Sequence, residues 1–469
     1  MFKLKENGTN VRTEIIAGAT TFFTMVYIIF VNPAILGAVP GFEKGGIFVA
    51  TIIATVIGTL IMGFVANVPY ALAPGMGLNA FFTYTVCFGL GFSWQQALAM
   101  VLICGIINII ITVTKVRKAI IKSIPKTLQF AIGAGIGLFI AYIGLKDANI
   151  IKFTVDPWNI INDPAAVGGT VISNGGAIPA LVNFNAVLNP MALMAIIGVA
   201  ITAVLMVLRV KGAILIGIIA TTLIGIPLGI TVYNPENAYA LSDISKTMFQ
   251  FDFGGLFADP AKIIVVIVTV FAFSLTDTFD TIGTFIGTGR KTGIFDDKDE
   301  AALFEGKGFK SKMDKALFAD ATATSIGSLF GTSNTTTYIE SAAGISEGGR
   351  TGLTSVVTAA LFLLCLILAP IAGMVTVAAT APALIIVGVL MAEPLMKIKW
   401  SDFEEALPAF FTIIIMPFTY SISNGIAAGF IFYVLAKIFR GKAKEVHPLL
   451  YVFTGLFLIY FIAMAVLKL

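Results

Sequence analysis

The run Phe271–Gly289, FAFSLTDTFDTIGTFIGTG, continues an apolar stretch that begins at Ile263, yet it carries Asp277 and Asp280. The stretch is long enough to cross a bilayer as a helix. A carboxylate at membrane depth costs roughly 3 kcal/mol on insertion scales, so such residues face the protein interior or a polar path and not lipid. On a helix Asp277, Asp280, Thr284 and Thr288 follow i, i+3, i+7, i+11 spacing and share one face. A polar stripe along a membrane helix points to a transport pathway.

The remainder of the chain fits that environment. It is 58% hydrophobic and 12% charged over 469 residues, where a soluble domain carries about 25% charge. This much apolar side chain exceeds what one core can hide, so the chain reads as an all-α polytopic membrane protein. Its 46 glycines and 18 prolines suit close-packed and locally broken membrane helices. Cys87, Cys104 and Cys365 lie in apolar runs without metal spacing, and the single histidine, His447, stands in a terminal loop. No metal site, cofactor or nucleic-acid partner is expected. The N-terminal apolar run is too long for a cleavable leader and reads as the first membrane helix.

Apolar runs follow at Ile15–Leu36 and Ile47–Phe64. Pro69–Tyr84, PYALAPGMGLNAFFTY, is too short and too interrupted by Pro and Gly for an ordinary span, and Asn79 stands where the breaking ends. Ala97–Thr114 is the next helix, followed by a basic loop with Lys115, Arg117, Lys118, Lys122 and Lys126. Helices are expected at Thr127–Leu145, Met191–Leu208 and Ala213–Ile230. The loop from Lys146 to Phe184, with Asp147, Asp156 and Asp163, reads as outer, and Arg209 and Lys211 mark an inner turn. Together these give a cytoplasmic N-terminus in the cell membrane.

The second half repeats the arrangement. After the acidic helix and a charged loop, Arg290–Lys315, comes a short helix Ala316–Phe330 with Asp320, Thr324 and Ser328. A second broken segment, Gly331–Gly349, contains Tyr338 and Glu340. Helices follow at Leu353–Val375, Pro382–Met396, Leu407–Phe418, Ile422–Ile438 and Leu449–Leu467. The pair 407–438 is read as a hairpin, which leaves Leu449–Leu467 as an extra crossing or an interfacial helix; the alternative, one kinked span, makes Leu449–Leu467 the fourteenth segment but puts Lys437, Arg440, Lys442 and Lys444 outside. Broken segments in matching positions of two halves point to a transporter's midplane site. Each residue also has a plainer reading. Asp277 and Asp280 can be locked to neighbouring hydroxyls, Glu340 can cap a half-helix, and Asn79 can serve as interhelical glue. The DDKDE run, Asp296–Glu300, reads as a solvated loop, and Gly133/Gly137 and Gly283/Gly287 as helix contacts. Phe81 and Phe273 are candidates for stacking on a planar ligand.

These motifs resemble a known family. SNTTTYIESAAGI, residues 333–345, is similar to the signature of the nucleobase–cation symporter-2, or nucleobase–ascorbate transporter, family, and FDTIGT, residues 279–284, to its acidic eighth-helix motif. TEIIAGATTFFTMVYIIFVNPAIL, APGMGLNAFF and TDTFDTIGTFIGTGRKTG resemble its AzgA-like branch, whose substrates are adenine, guanine and hypoxanthine. The resemblance implies about fourteen segments in two inverted repeats of seven, the third and tenth broken. It implies a core domain (1–126 and 263–378), a gate domain (127–262 and 379–469) and a possible homodimer. It places Asp280 and Glu340 on the base, Asp277 and Asn79 at further transport positions, and Asp320 in a supporting role. Where uracil-type relatives carry a histidine four residues after the acid, this chain has Thr284.

The chemistry agrees. A purine edge offers N–H donors, which a carboxylate accepts as charge-assisted bonds, and Asn both donates and accepts. Tyr338 and Thr284 complete the expected substrate set. The expected coupling ion is a proton on Asp280, Asp277 or Glu340. The reading is thus a carrier, not an enzyme: purine symport with protons by an elevator-like motion. The alternatives are a same-fold carrier of another nucleobase or small anion, which three acids would repel, or a nucleobase sensor without transport. An intramembrane aspartyl protease would need a Gly-x-Gly-Asp signature that the sequence lacks, and a prenyltransferase a second Asp-rich motif.

Overall fold

The computed structural model describes residues 2–114, 123–155, 160–162, 170–172, 177–182, 189–232, 234, 238–285, 294–295, 299 and 311–467. Thr288, Gly287, the basic loop at 115–122, Asp156, Asp163 and most of the 290–310 loop, including the DDKDE run apart from Asp299, lie outside them. Among the described residues nine helices are long and apolar enough to cross a membrane, which makes the chain a multi-pass membrane protein. These nine alone do not fix a count of fourteen. The broken segments, the shorter helices Ala213–Gly225 and Phe403–Phe418, and the C-terminal helix Pro448–Leu467 add to them.

Several apolar runs are less regular than their hydropathy implies. Ile15–Leu36 forms two helices, Val11–Met25 and Ile28–Leu36, with a break at Val26 and Tyr27. Pro33 lies inside the second piece. Its missing N–H leaves the preceding turn without a helical donor, and that turn tightens to Ile29 N–H on Val26 O and Phe30 N–H on Tyr27 O. The Leu353–Val375 run likewise changes after Leu364 into a tight turn, Cys365–Leu368, ahead of Pro370. The loop after Lys126–Asp147 contains two short antiparallel strand pairs, 151–155 with 177–181 and 160–162 with 170–172.

Two groups of helices emerge from the packing. Lys312–Phe330 lies on Trp94–Val113 and on Lys44–Ile61, and Val11–Met25 on Gly352–Leu364. Lys126–Asp147 lies on Val377–Leu390 and Phe403–Phe418, and Val377–Leu390 also on Pro190–Val207. Phe403–Phe418 and Ile422–Phe439 form a tight hairpin turning at Tyr420, whose φ is 55°. Gly425 and Gly429 let the hairpin close onto Thr412 and Met416. The far end of the hairpin is tied by buried Glu404, which pairs with Lys437, Arg440 and Lys442.

Close backbone approach recurs where Gly63 and Gly352 meet. A Cβ on Gly352 would press on the Gly63 carbonyl, and one on Gly63 would lie 2.8 Å from the Gly352 carbonyl oxygen. Both obstacles are backbone, which cannot swing aside. Gly352→Ala is therefore expected to cost about 2 kcal/mol or more through overpacking, read as a lowered thermal midpoint in detergent.

Candidate functional site

Inside a membrane, extended backbone survives only if its polar groups are satisfied within the protein. The two broken segments do this for each other. Leu72–Pro74 and Thr335–Thr337 pair antiparallel, Leu72 opposite Thr337 and Pro74 opposite Thr335. Gly75 N–H continues the pairing onto Asn334 O at 2.9 Å, and Tyr338 N–H onto Ala71 O at 3.0 Å. Side chains cover the outer edges. Thr59 Oγ1 accepts from Leu72 N at 2.9 Å, Ser341 Oγ accepts from Ala71 N at 3.0 Å, and Ser355 Oγ lies 2.8 Å from both Val68 O and Tyr70 O.

Each strand leads into a short helix. The first, Met76–Ala80, continues in wider π-type turns through Phe81–Gly89. Asn79 is its first residue to bond back, onto Gly75 O. The N–H groups of Met76, Gly77 and Leu78 lack an intrahelical acceptor, and Gly75 has no side chain to cap them. The second helix, Ser341–Ser346, follows directly on Glu340.

The acidic helix, Ile263–Thr284, packs against this crossing and against Trp94–Val113. The residues singled out by sequence then fall into two sets. Asp280 is half-buried and lies within electrostatic reach of Asp320 and Glu340. No hydrogen bond from a described residue reaches Asp280. Glu340, also half-buried, accepts from the Tyr27 hydroxyl at Oε1, 2.5 Å away; its own backbone N–H lies against the carboxylate, and no other described side chain donates to it. Tyr338 stands beside Glu340 and Asp280, and its hydroxyl donates to Pro74 O at 2.6 Å. It thereby ties one broken segment to the other. Asp320 is buried and holds the second strand in place. Its Oδ1 accepts from Thr337 N at 2.9 Å, Thr337 Oγ1 at 2.8 Å and Thr281 Oγ1 at 2.8 Å.

Asp277 belongs to the other set. It is buried, and its Oδ2 accepts from Asn108 Nδ2 at 2.8 Å and Thr324 Oγ1 at 3.4 Å. Asn108 in turn accepts from Ser274 Oγ at 2.5 Å. Asn79 is fully buried, accepts from the Ser333 hydroxyl, and reaches Pro74 O from Nδ2 at 3.5 Å. Its next neighbour along the chain from Ser333, Asn334, donates to Cys104 Sγ at 3.4 Å, on the same helix as Asn108. Thr284 is buried one turn beyond Asp280. Phe81 and Phe273 are fully buried and meet edge to face at 4.6 Å.

Three residues in this region carry no emphasis in the sequence reading: Tyr27, Asn108 and Glu14. Tyr27 and Asn108 each interrupt an otherwise apolar run, a faint signal. Glu14 is a buried carboxylate that collects five donors from the start of Gly352–Leu364: Arg350 N, Thr351 N and Oγ1, and Thr354 N and Oγ1, at 2.6–3.3 Å. A carboxylate at a helix start satisfies orphan N–H groups and complements the dipole.

Known proteins resemble this chain over nearly its full length. Residues 12–428 match a permease family. A Methanocaldococcus jannaschii chain described as a permease is 44% identical over 98% of this chain and 97% of its own length. The guanine/hypoxanthine permease PbuG of Bacillus subtilis is 39% identical over 98% of both chains. The adenine permease AdeP of Escherichia coli is 39% identical over 98% of this chain and 94% of its own. Among solved structures, the transmembrane domain of the cyanobacterial bicarbonate transporter BicA superposes with a TM-score of 0.58 at 16% identity, covering 88% of this chain and 97% of that one. SLC26A9 superposes with a TM-score of 0.62 at 11% identity, covering 93% and 66%. These two likenesses show the fold alone. The full-length match and the relatives together place the chain in the permease family of nucleobase–ascorbate, or nucleobase–cation symporter-2, transporters.

Proposed function

We propose that this chain carries purine nucleobases (adenine, guanine and hypoxanthine) across the cell membrane in symport with protons, and that the base sits between Asp280 and Glu340. One observation carries the reading: two half-buried carboxylates face the crossing of the broken segments, each with oxygen left over for a ligand. The relatives, permeases for guanine and hypoxanthine or for adenine, supply the substrate class. A purine edge gives N–H groups to the carboxylates, and the N–H groups of Met76, Gly77 and Leu78, which find no acceptor among the described residues, suit a carbonyl or ring nitrogen on the other edge. Asn79, Tyr338 and Asp320 act in this reading by holding the half-helices and strands in place, and Thr284, buried one turn beyond Asp280, stays in the proposed substrate set.

Neither Asp280 nor Glu340 pairs with a basic side chain among the described residues. Carboxylates gathered at membrane depth call for compensating positive charge, and a proton taken up with the base provides it. Asp280 is the proposed carrier, with Asp277 and Glu340 as the other candidates. Binding of proton and base then favour the same state, which couples their movement.

The helix group holding the broken segments is the proposed core, comprising 1–126 and 263–378, and the group around Lys126–Asp147 the proposed gate, comprising 127–262 and 379–469. The two touch where Tyr84 Oη donates to Asp147 Oδ2 at 3.1 Å and Thr85 Oγ1 to Tyr420 O at 3.1 Å. Polar contacts of this kind break and re-form cheaply, as an elevator-like motion of core past gate requires. The N-terminus is proposed as cytoplasmic, with the gate as the surface of a possible homodimer. An anion carrier shares the fold but is disfavoured by the site's carboxylates.

Equilibrium binding of labelled hypoxanthine, guanine and adenine to the purified protein tests the site. Glu340→Gln keeps the shape and an acceptor for Tyr27 but removes the charge. It is expected to weaken purine binding about 30-fold or more. Unchanged affinity in folded protein would remove Glu340 from the site.

A further inference from the structure

We propose that Tyr27 is a positioning residue for the substrate, acting through Glu340 by pinning one carboxylate oxygen so that the other points at the base. The inference rests on the purine reading of the site and goes beyond it. Tyr27 stands in the tightened turn between Val11–Met25 and Ile28–Leu36, from which its side chain reaches the second broken segment. It is 1% exposed, and its hydroxyl donates to Glu340 Oε1 at 2.5 Å. Among the described residues no other side chain donates to Glu340. The same turn makes a second contact, Thr24 Oγ1 to the Glu340 carbonyl oxygen at 3.4 Å.

A carboxylate with no fixed partner rotates about its last side-chain torsion and offers its lone pairs over a wide arc. With Oε1 held, Oε2 is left for a ligand N–H in one orientation. The phenol has one proton, already engaged by Glu340, so with Glu340 ionised the pair presents an acceptor and no donor there. Bases with an N–H at that edge are admitted, and bases presenting only lone pairs are refused, because a buried acceptor would face an acceptor. Tyr27 therefore contributes to selection without touching the base.

A double-mutant cycle tests this. Tyr27→Phe keeps the ring and loses the hydroxyl. It is expected to raise the purine Kd and the uptake KM about tenfold, with the maximal rate kept within about twofold. In the Glu340→Gln background the same change is expected to alter Kd by less than about twofold. Tyr27→Met, equally without a donor, is expected to behave alike, which guards against a folding defect peculiar to one variant. Wild-type affinity in Tyr27→Phe overturns the proposal, as does a full tenfold loss repeated in the Glu340→Gln background. If Glu340→Gln alone binds purines normally, the site reading itself fails. If it binds poorly while Tyr27→Phe binds normally, only the role of Tyr27 fails.

Discussion

Asp280→Asn is expected to abolish gradient-driven purine uptake, at least about 100-fold below wild type, while leaving the thermal midpoint nearly unchanged. The two halves of that expectation come from the same observation. No described residue donates a hydrogen bond to Asp280, so the fold loses none when the charge goes. The side chain is half-buried, so it is available to a ligand. Asparagine fills the same volume, but half of its head group is now a donor facing the donor edge of the base. Losing one partner of a buried charged bond costs about 2–5 kcal/mol, and each 1.4 kcal/mol is a factor of about ten. Asp280 is also the proposed proton carrier, and an amide cannot carry that proton. Uptake into proteoliposomes, measured beside a melting curve of the same preparation, checks both halves.

Glu14→Ala is expected to have the opposite profile, with a collapse of stability and no specific effect on the site. Five donors converge on this one carboxylate, three of them backbone N–H groups in the turn that starts Gly352–Leu364. Alanine strands them in a buried place, where each unsatisfied donor costs about 1–3 kcal/mol. Some of that is recovered by rearrangement or water, so a net loss of about 3–5 kcal/mol is expected. The variant should melt far below wild type in detergent, and Glu14→Gln, which keeps one acceptor, should fall between. A melting curve like wild type for Glu14→Ala would mean that the helix start is satisfied by other means.

Glu14 also shows where reading the sequence stops. It precedes an apolar run, so it reads as a flanking charge in water. Its partners lie some 340 positions away, and no local pattern announces them. The broken segments were legible because their cause is local: Pro and Gly cannot continue a helix, and two such interruptions stood in corresponding places. Their antiparallel pairing follows from the rule that membrane-buried backbone must find partners. Asp277 and Asp280 illustrate the middle ground. Their spacing puts both on one face, but three residues leave them about 60° apart around the axis. That angle turns Asp277 towards Asn108 and Thr324 and Asp280 towards Glu340. Spacing identifies a polar stripe; only the neighbouring helices divide it. Tyr27 was hidden for a similar reason. A tyrosine in an apolar run is ordinary, and the break that lets it reach Glu340 depends on Pro33, six residues further on.

The central claim is that a purine and a proton move together through the site of Asp280 and Glu340. The most direct measurement is uptake of labelled adenine, guanine, hypoxanthine and uracil into proteoliposomes, with and without an inward proton gradient. Gradient-driven accumulation of at least one purine, no accumulation of uracil, and loss of accumulation when the gradient is collapsed are expected. Purine accumulation indifferent to the proton gradient, or no uptake of any base by folded protein, would contradict the claim.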